Sequence, residues 1–240
     1  MNLLLLAPDE LQPDGTARLT GRRLAHARAV WGSVAGDRMR AGVLGGGVGT
    51  AEILLVDADF LDIRLVVDAA PPPRPALDLV LAMPRPKALK RILSTVAQLG
   101  VDRVVLVGAA RVEKSYFTSG GVEPDTVHRL LVEGLEQAQD TVLPDVIVRE
   151  RFRPFVEDEL PTLFPSPARR LLAHPHVTTP LSAVRGPPGE RAVVAIGPEG
   201  GWVPFELDLL AAHGFASFTL GSRVLRTETL VPYLLGALGG

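Results

Sequence analysis

The chain has no cysteine among its 240 residues. Disulfides, thiolate metal sites and cysteine nucleophiles are excluded, and the composition fits a reducing cytoplasm. No apolar run reaches membrane-spanning length. The opening MNLLLLAPDE holds four leucines, but no basic residues precede them and Pro8 and Asp9 follow closely. That run is too short for a signal peptide. A large net charge is also missing: the formal balance is −2. The whole molecule is therefore not a basic nucleic-acid binder, and any such contact rests on local patches. Internal repeats and low-complexity tracts are absent. Hydrophobic residues at 47% and charged residues at 22% describe an ordinary globular chain long enough to bury a core.

The basic residues are unevenly spread. Arg18, Arg22, Arg23, Arg28, Arg38 and Arg40 crowd the first forty positions, and Arg85, Lys87, Lys90 and Arg91 form a second cluster. Each is either a solvated face or a contact for phosphates.

Ala69–Pro75 reads AAPPPRP. Three consecutive prolines fit neither a helix nor a central strand, so this is a stiff connector, and a domain boundary is expected there. Before it, Leu3–Leu6, Ala17–Thr20, Arg38–Leu44, Val48–Val56 and Leu61–Val67 read as strands, with a helix over Arg22–Val30 and a hairpin loop at Gly45–Gly47. This pattern predicts a small β-barrel over residues 1–70. After it, strands and helices alternate. Strands are expected at Leu77–Met83, Arg103–Val107, Asp145–Val148, Leu171–Ala173, Ala192–Ile196 and Ala216–Leu220. Helices are expected at Lys87–Leu99, Pro124–Gln139, Phe155–Leu163 (interrupted by Pro161), Pro204–His213 and Glu228–Leu238. Residues 71–240 thus predict an α/β domain with a parallel sheet covered on both faces.

In such a sheet, ligands bind beyond the carboxyl ends of the strands. Two loops stand out there: Gly197-Pro198-Glu199-Gly200-Gly201 after Ile196, and Gly221-Ser222-Arg223 after Leu220. Glycines let a backbone approach a ligand closely. Neither a P-loop nor a GxGxxG pattern is present. Glu199 disfavours a polyphosphate, because like charges repel at close range. A ligand with positive character suits it better, and S-adenosylmethionine carries a sulfonium and an ammonium against one carboxylate. A glycine-rich turn that merely caps a strand is the plainer alternative.

Gly197–Gly201 after an apolar strand, followed by Leu220-Gly221-Ser222-Arg223-Val224-Leu225-Arg226-Thr227-Glu228-Thr229, resembles the bacterial RsmE family. These enzymes methylate N3 of a uridine in 16S ribosomal RNA. Leu99-Gly100-Val101, Glu136-Gln137 with Pro144, and Ala173-His174-Pro175 extend the likeness over nearly the whole chain. The sequence departs from the pattern at Gln98, where many members have glutamate. It departs at Ala138-Gln139-Asp140, where many have a small residue and Gly-Arg, and at Leu230, which follows Thr-Glu-Thr where alanine is frequent.

The resemblance implies a knotted SPOUT methyltransferase domain, an alpha/beta trefoil knot, with a PUA-like β-barrel before it. It implies S-adenosyl-L-methionine as cofactor, no metal, a homodimer, and 16S ribosomal RNA or the small ribosomal subunit as partner. The expected cofactor lining is backbone, from Leu172, His174, Ile196, Gly197, Pro198, Glu199, Gly200, Gly201, Leu220, Gly221, Ser222 and Leu225. Arg226 or Arg223 is expected to place positive charge near the uracil oxygens or a phosphate. Glu199 is the first candidate for a carboxylate acting on the cofactor or the proton. Glu228 is the second, or else serves the first turn of its helix. Arg22, Arg23, Arg28, Arg85, Lys87 and Lys90 are the expected RNA contacts. His174 is read as pocket wall, since no third metal ligand accompanies it and His176. Trp31 is read as core or hinge packing. Trp202 either stacks on a base or packs inside. Other readings are a knotted methyltransferase for ribose or transfer RNA, and a non-catalytic RNA-binding assembly factor.

Overall fold

A computed structural model describes residues 2–31, 34–165, 168–187 and 189–239, with the side chains of positions 26 and 29–31 outside the description. The side chain of Trp31 is among those outside it. The chain divides into two compact units, Met1–Pro73 with Val132–Leu143, and Arg74–Leu131 with Pro144–Gly240. The first unit thus takes up a later segment that the proline-rich connector does not reveal.

The first unit contains β1 (Leu4–Leu6), β2 (Thr16–Leu19), α1 (Gly21–Trp31), β3 (Arg38–Val43), β4 (Val48–Val56) and β5 (Leu61–Ala69). They form one five-stranded sheet in the order β1-β3-β4-β5-β2. Alternate residues of these strands point inward, and Leu4, Leu6, Leu19, Ile53, Leu61 and Ile63 are fully buried together. The order leaves β1 and β2 as edges, so no strand pair closes the sheet among the described residues. The later segment of this unit makes a turn in which Gln139 has φ 59. Buried Asp140 accepts from the amides of Thr141 at 2.6 Å and Val142 at 3.1 Å. This departure from the family pattern therefore serves local turn chemistry.

The second unit runs β6 (Leu77–Ala82), α2 (Pro86–Gln98), β7 (Arg103–Val107), α3 (Pro124–Ala138, whose second half belongs to the first unit), β8 (Asp145–Arg149), α4 (Phe152–Pro154), α5 (Leu160–Leu163), β9 (Arg169–Ala173), α6 (Leu181–Val184), β10 (Ala192–Ile196), α7 (Pro204–Ala212), β11 (Phe215–Phe218) and α8 (Thr227–Gly239). All six strands are parallel, in the order β11-β9-β10-β6-β7-β8. The central strands β6 and β10 are buried along their whole length. Apart from Asp78 near the start of β6 they read as apolar runs, because helices cover both faces.

Helix α2 shows how the local sequence sets these pieces. Proline opens its first turn. Leu89, Ile92, Leu93, Val96 and Ala97 form its buried stripe. Each large member of that stripe contributes about 1.5–3 kcal/mol by leaving water. Gly100, at φ +67, ends the helix, and the Val101 amide closes back on Val96 at 3.1 Å. Helix α4 begins at Phe152, earlier than the expected Phe155. It reaches α5 through a π-helical stretch at Phe155–Glu159. Pro161 lacks the amide that an α-helical ladder needs, and a π turn just before it lets the chain continue.

Candidate functional site

Strands β9, β10 and β11 end at one level, where Ala173 stands beside Ile196 and Phe218. Their loops leave side by side and enclose a cleft of about 360 Å³. It is lined by Ala173–His176, Ile196–Trp202, Val224–Thr227 and Leu230. A smaller cleft of about 70 Å³ lies between the β9 and β11 loops, walled by Ala173–Pro175, Phe218–Gly221, Arg223–Leu225 and Leu230.

The glycine loop is built by close approach. Gly197 faces the indole of Trp202, and a Cβ there would stand 2.9 Å from Nε1. Gly201, at φ +75, lets its amide return to the Pro198 carbonyl at 2.8 Å. Trp202 is 4% exposed and lies 5.3 Å from Phe152 between ring centres, so it packs in the core rather than offering a face to a base. Its Nε1 has no hydrogen-bond partner among the described residues. In the β11 loop, Gly221 has φ +110, and Thr219 Oγ1 both accepts from the Gly221 amide and donates to its carbonyl.

The charged residues divide sharply. Glu199 is exposed and accepts from the Arg85 amide at 3.4 Å. Arg223 and Arg226 are exposed, line the clefts, and make no ion pair or side-chain hydrogen bond among the described residues. The Arg226 carbonyl opens α8 by accepting from the amides of Thr229 and Leu230. Glu228 is instead committed to Arg91 at 3.1 Å. His174 lines both clefts. Burial pushes its imidazole below the usual range, and the neighbouring His176 adds to that. Among the described residues, no group of three or more histidine, aspartate or glutamate side chains could hold a metal.

Residues 71–239 match the family described as RNA methyltransferase domain. The chain is also 35% identical over 235 residues to the ribosomal RNA small subunit methyltransferase E of Treponema pallidum (strain Nichols), covering 95% of this chain and 87% of that protein. The chain belongs to the small subunit methyltransferase E family. Two solved structures share its fold. A probable rRNA-methyltransferase from Porphyromonas gingivalis has TM-score 0.80 at 23% identity, covering 100% of this chain and 98% of that one. A ribosomal RNA small subunit methyltransferase E from Neisseria gonorrhoeae, bound to S-adenosyl methionine, has TM-score 0.79 at 21% identity, covering 99% and 96%.

In this methyltransferase E, the two glycine-bearing loops open onto different clefts: Gly197–Gly201 line the larger, while Leu220 and Gly221 line only the smaller, and the clefts share Ala173–Pro175, Val224, Leu225 and Leu230. Leu172 lines neither cleft: it lies one residue short of the end of β9, and its side chain is fully buried in the core. Ser222 lines neither cleft. The expected RNA contacts also separate. Arg23 is tied to Glu10 and to the Leu5 carbonyl, Arg28 to the carbonyls of Asp57 and Ala58, and Arg22 lies 3.3 Å from Glu136. Arg85, Lys87 and Lys90 are exposed around the start of α2.

Two residues that the sequence reading does not single out hold the glycine loop or the chain just beyond it. Arg111, in the turn after β7, donates to the Gly200 carbonyl. Buried Glu206 accepts from the amides of Val203 at 2.9 Å and Ala110 at 2.7 Å. Glu206 had a sequence signal, an acidic residue in the first turn just after a proline. Arg111 had only its place beyond a parallel strand's carboxyl end.

Proposed function

We propose that this chain binds S-adenosylmethionine in the β9–β10–β11 cleft and methylates N3 of a uridine in 16S ribosomal RNA, as a cytoplasmic homodimer. The observation that carries this reading is the cleft itself: glycine backbone on one wall, unpaired Arg226 on another, and exposed Glu199 on the rim. The residues fit the cofactor. The cleft falls within the range of sites for small molecules. Ala173, Leu225 and Leu230 offer apolar wall for an adenine, the glycines offer approachable peptide groups, and Glu199 suits a cationic ligand.

When bound, S-adenosylmethionine supplies the methyl group. Uridine N3 carries a proton and is a poor nucleophile until that proton leaves. Arg226 and Arg223 provide positive charge to stabilise the uridinate, and Glu199 is the carboxylate positioned to receive the proton. His174, its protonation disfavoured by burial, serves as wall. The loops contribute by holding both reactants in one geometry. Arg85, Lys87 and Lys90 meet RNA phosphates.

Other parts of the reading rest on separate features. The chain leaves β11 at one edge of the sheet, passes through the cleft wall, and continues into α8, which packs on α2 and β6. That path supports the trefoil knot. The five-stranded first sheet, with its own buried apolar cluster, supports the PUA-like assignment. Helix α8 is apolar almost all round and leaves Tyr233 57% exposed, while Val224 before it is 81% exposed. Such a face supports a second copy as partner. Of the departures from the family pattern, Gln98 bonds Ser94 on its own helix and Asp140 serves its own turn, so neither favours a non-catalytic role.

The deciding experiment is labelled methyl transfer to unmethylated small subunits, followed by nucleoside mass spectrometry. The expected product is 3-methyluridine. A ribose-methylated nucleoside, or no transfer, would overturn the reading.

A further inference from the structure

The glycine loop is gripped from the β7 side by a residue that the reading above leaves without a task. Arg111 Nη1 donates to the Gly200 carbonyl. Its stem also lies on the loop: a Cβ on Gly200 would stand 3.1 Å from Arg111 Cδ and 3.3 Å from its Cβ. Glycine at 200 is what lets the arginine lie there. One residue on, Gly201 closes onto Pro198. Just beyond, the Glu206 carboxylate joins the amides of Ala110 and Val203. The β7 turn thus holds the loop before and after its last glycine.

A free Gly-Gly turn samples many conformations, and ordering it on binding subtracts from affinity. A charge-assisted hydrogen bond is among the stronger means of fixing a carbonyl. We infer that Arg111 is a positioning residue, which holds the Pro198–Gly201 turn in its cofactor-receiving shape before the cofactor arrives. This rests on the reading that the cleft takes S-adenosylmethionine. Arg111 is exposed, so its effect falls on loop order and affinity rather than on the fold.

Arg111→Met keeps an apolar stem without donors, and Arg111→Lys keeps one charged donor group. Two measurements apply to each: amide hydrogen exchange at Gly200 and Gly201 in the cofactor-free protein, and calorimetric affinity for S-adenosylmethionine. The Met variant is expected to exchange faster at both amides and to bind about tenfold more weakly. The Lys variant recovers most of both losses, and RNA affinity is unchanged in either. Wild-type exchange and affinity in the Met variant overturn the proposal. So does lost RNA affinity with intact cofactor affinity, which would make Arg111 a phosphate contact. If the wild-type protein binds no S-adenosylmethionine, the cofactor reading fails, and exchange alone decides: accelerated amides uphold the brace and unchanged amides overturn it.

Discussion

The two ends of the parallel sheet treat charge in opposite ways. At the amino ends of β6, β7 and β10, charges are paired. Asp78 takes Arg191 at 2.7 Å, Asp102 takes the same guanidinium at 2.6 Å, and Arg103 joins Asp145 at 2.9 Å. Arg103 also lies over the buried ring of Phe164. At the carboxyl ends, Arg223 and Arg226 stand without partners among the described residues, and Glu199 has one long hydrogen bond. Both ends carry arginines and carboxylates, so composition does not separate them. The difference is satisfaction. An end that completes its own pairs is finished as protein, whereas one that leaves charges open beside glycine backbone has capacity for a ligand.

The largest expected effect tests the open end. Arg226→Ala should lower methyl transfer by about 10²–10³-fold, the scale of losing one preorganised donor to a developing anion. Its unfolding midpoint in urea should stay near wild type. A wild-type rate would remove Arg226 from the chemistry. Next comes Gly197→Ala, which asks how much structure the open end also holds. The added carbon meets Trp202 Nε1 at 2.9 Å and Cδ1 at 3.0 Å, and the indole is itself packed. The expected cost is about 1–3 kcal/mol in urea denaturation, with weaker cofactor binding. Unchanged stability would mean that the indole can yield. Third, replacing Arg85, Lys87 and Lys90 together by alanine should reduce RNA affinity about tenfold and flatten its salt dependence. Filter binding at several salt concentrations measures both, and an unaltered slope would return these residues to a merely solvated face.

The smallest effect tests the paired end. Burial pushes the Asp78 carboxyl above its usual range, and Arg191 only partly offsets this. The native state therefore holds that proton to higher pH than the unfolded chain does. Its contribution to stability is present below the unfolded value near 4 and is lost as pH rises through the folded value. Asp78→Asn cannot titrate, so its stability should fall less than wild type as pH rises from 4 to 7, with cofactor affinity unchanged. Urea unfolding across that range decides it: a steeper fall in the variant would reverse the balance between burial and pairing.

Much of this was legible from local pattern. The unbroken apolar run Ala192–Ile196 signals a short buried strand, and the glycines after it signal a close approach. What was not legible depends on contacts distant in sequence. Arg23 and Arg28 looked like an RNA patch because a sequence displays charge but not Glu10 or the Asp57 carbonyl beside it. The resemblance implies backbone lining at Leu172, but the cleft begins only at Ala173, and a residue pattern does not fix where a strand stops and its loop begins. Arg111 went unseen because its target is a backbone carbonyl, and no residue type marks that. Gln139 illustrates the reverse case. The family pattern has glycine near this point, and the φ of 59 gives the physical reason, since left-handed backbone there costs an ordinary residue about 1–2 kcal/mol.

The pairing of β6 with both β7 and β10 also sets an order of events during synthesis. β7 leaves the ribosome soon after β6, but β10 begins only at Ala192. Until then one margin of β6 is an uncovered template of apolar residues with free amides and carbonyls. The nascent chain must pass through that interval without joining a neighbour, and closure of the sheet is delayed by the long separation between its two central strands. The arrangement that places the glycine loop at the middle of the sheet thus also makes the newly made protein dependent on rapid completion of its last fifth.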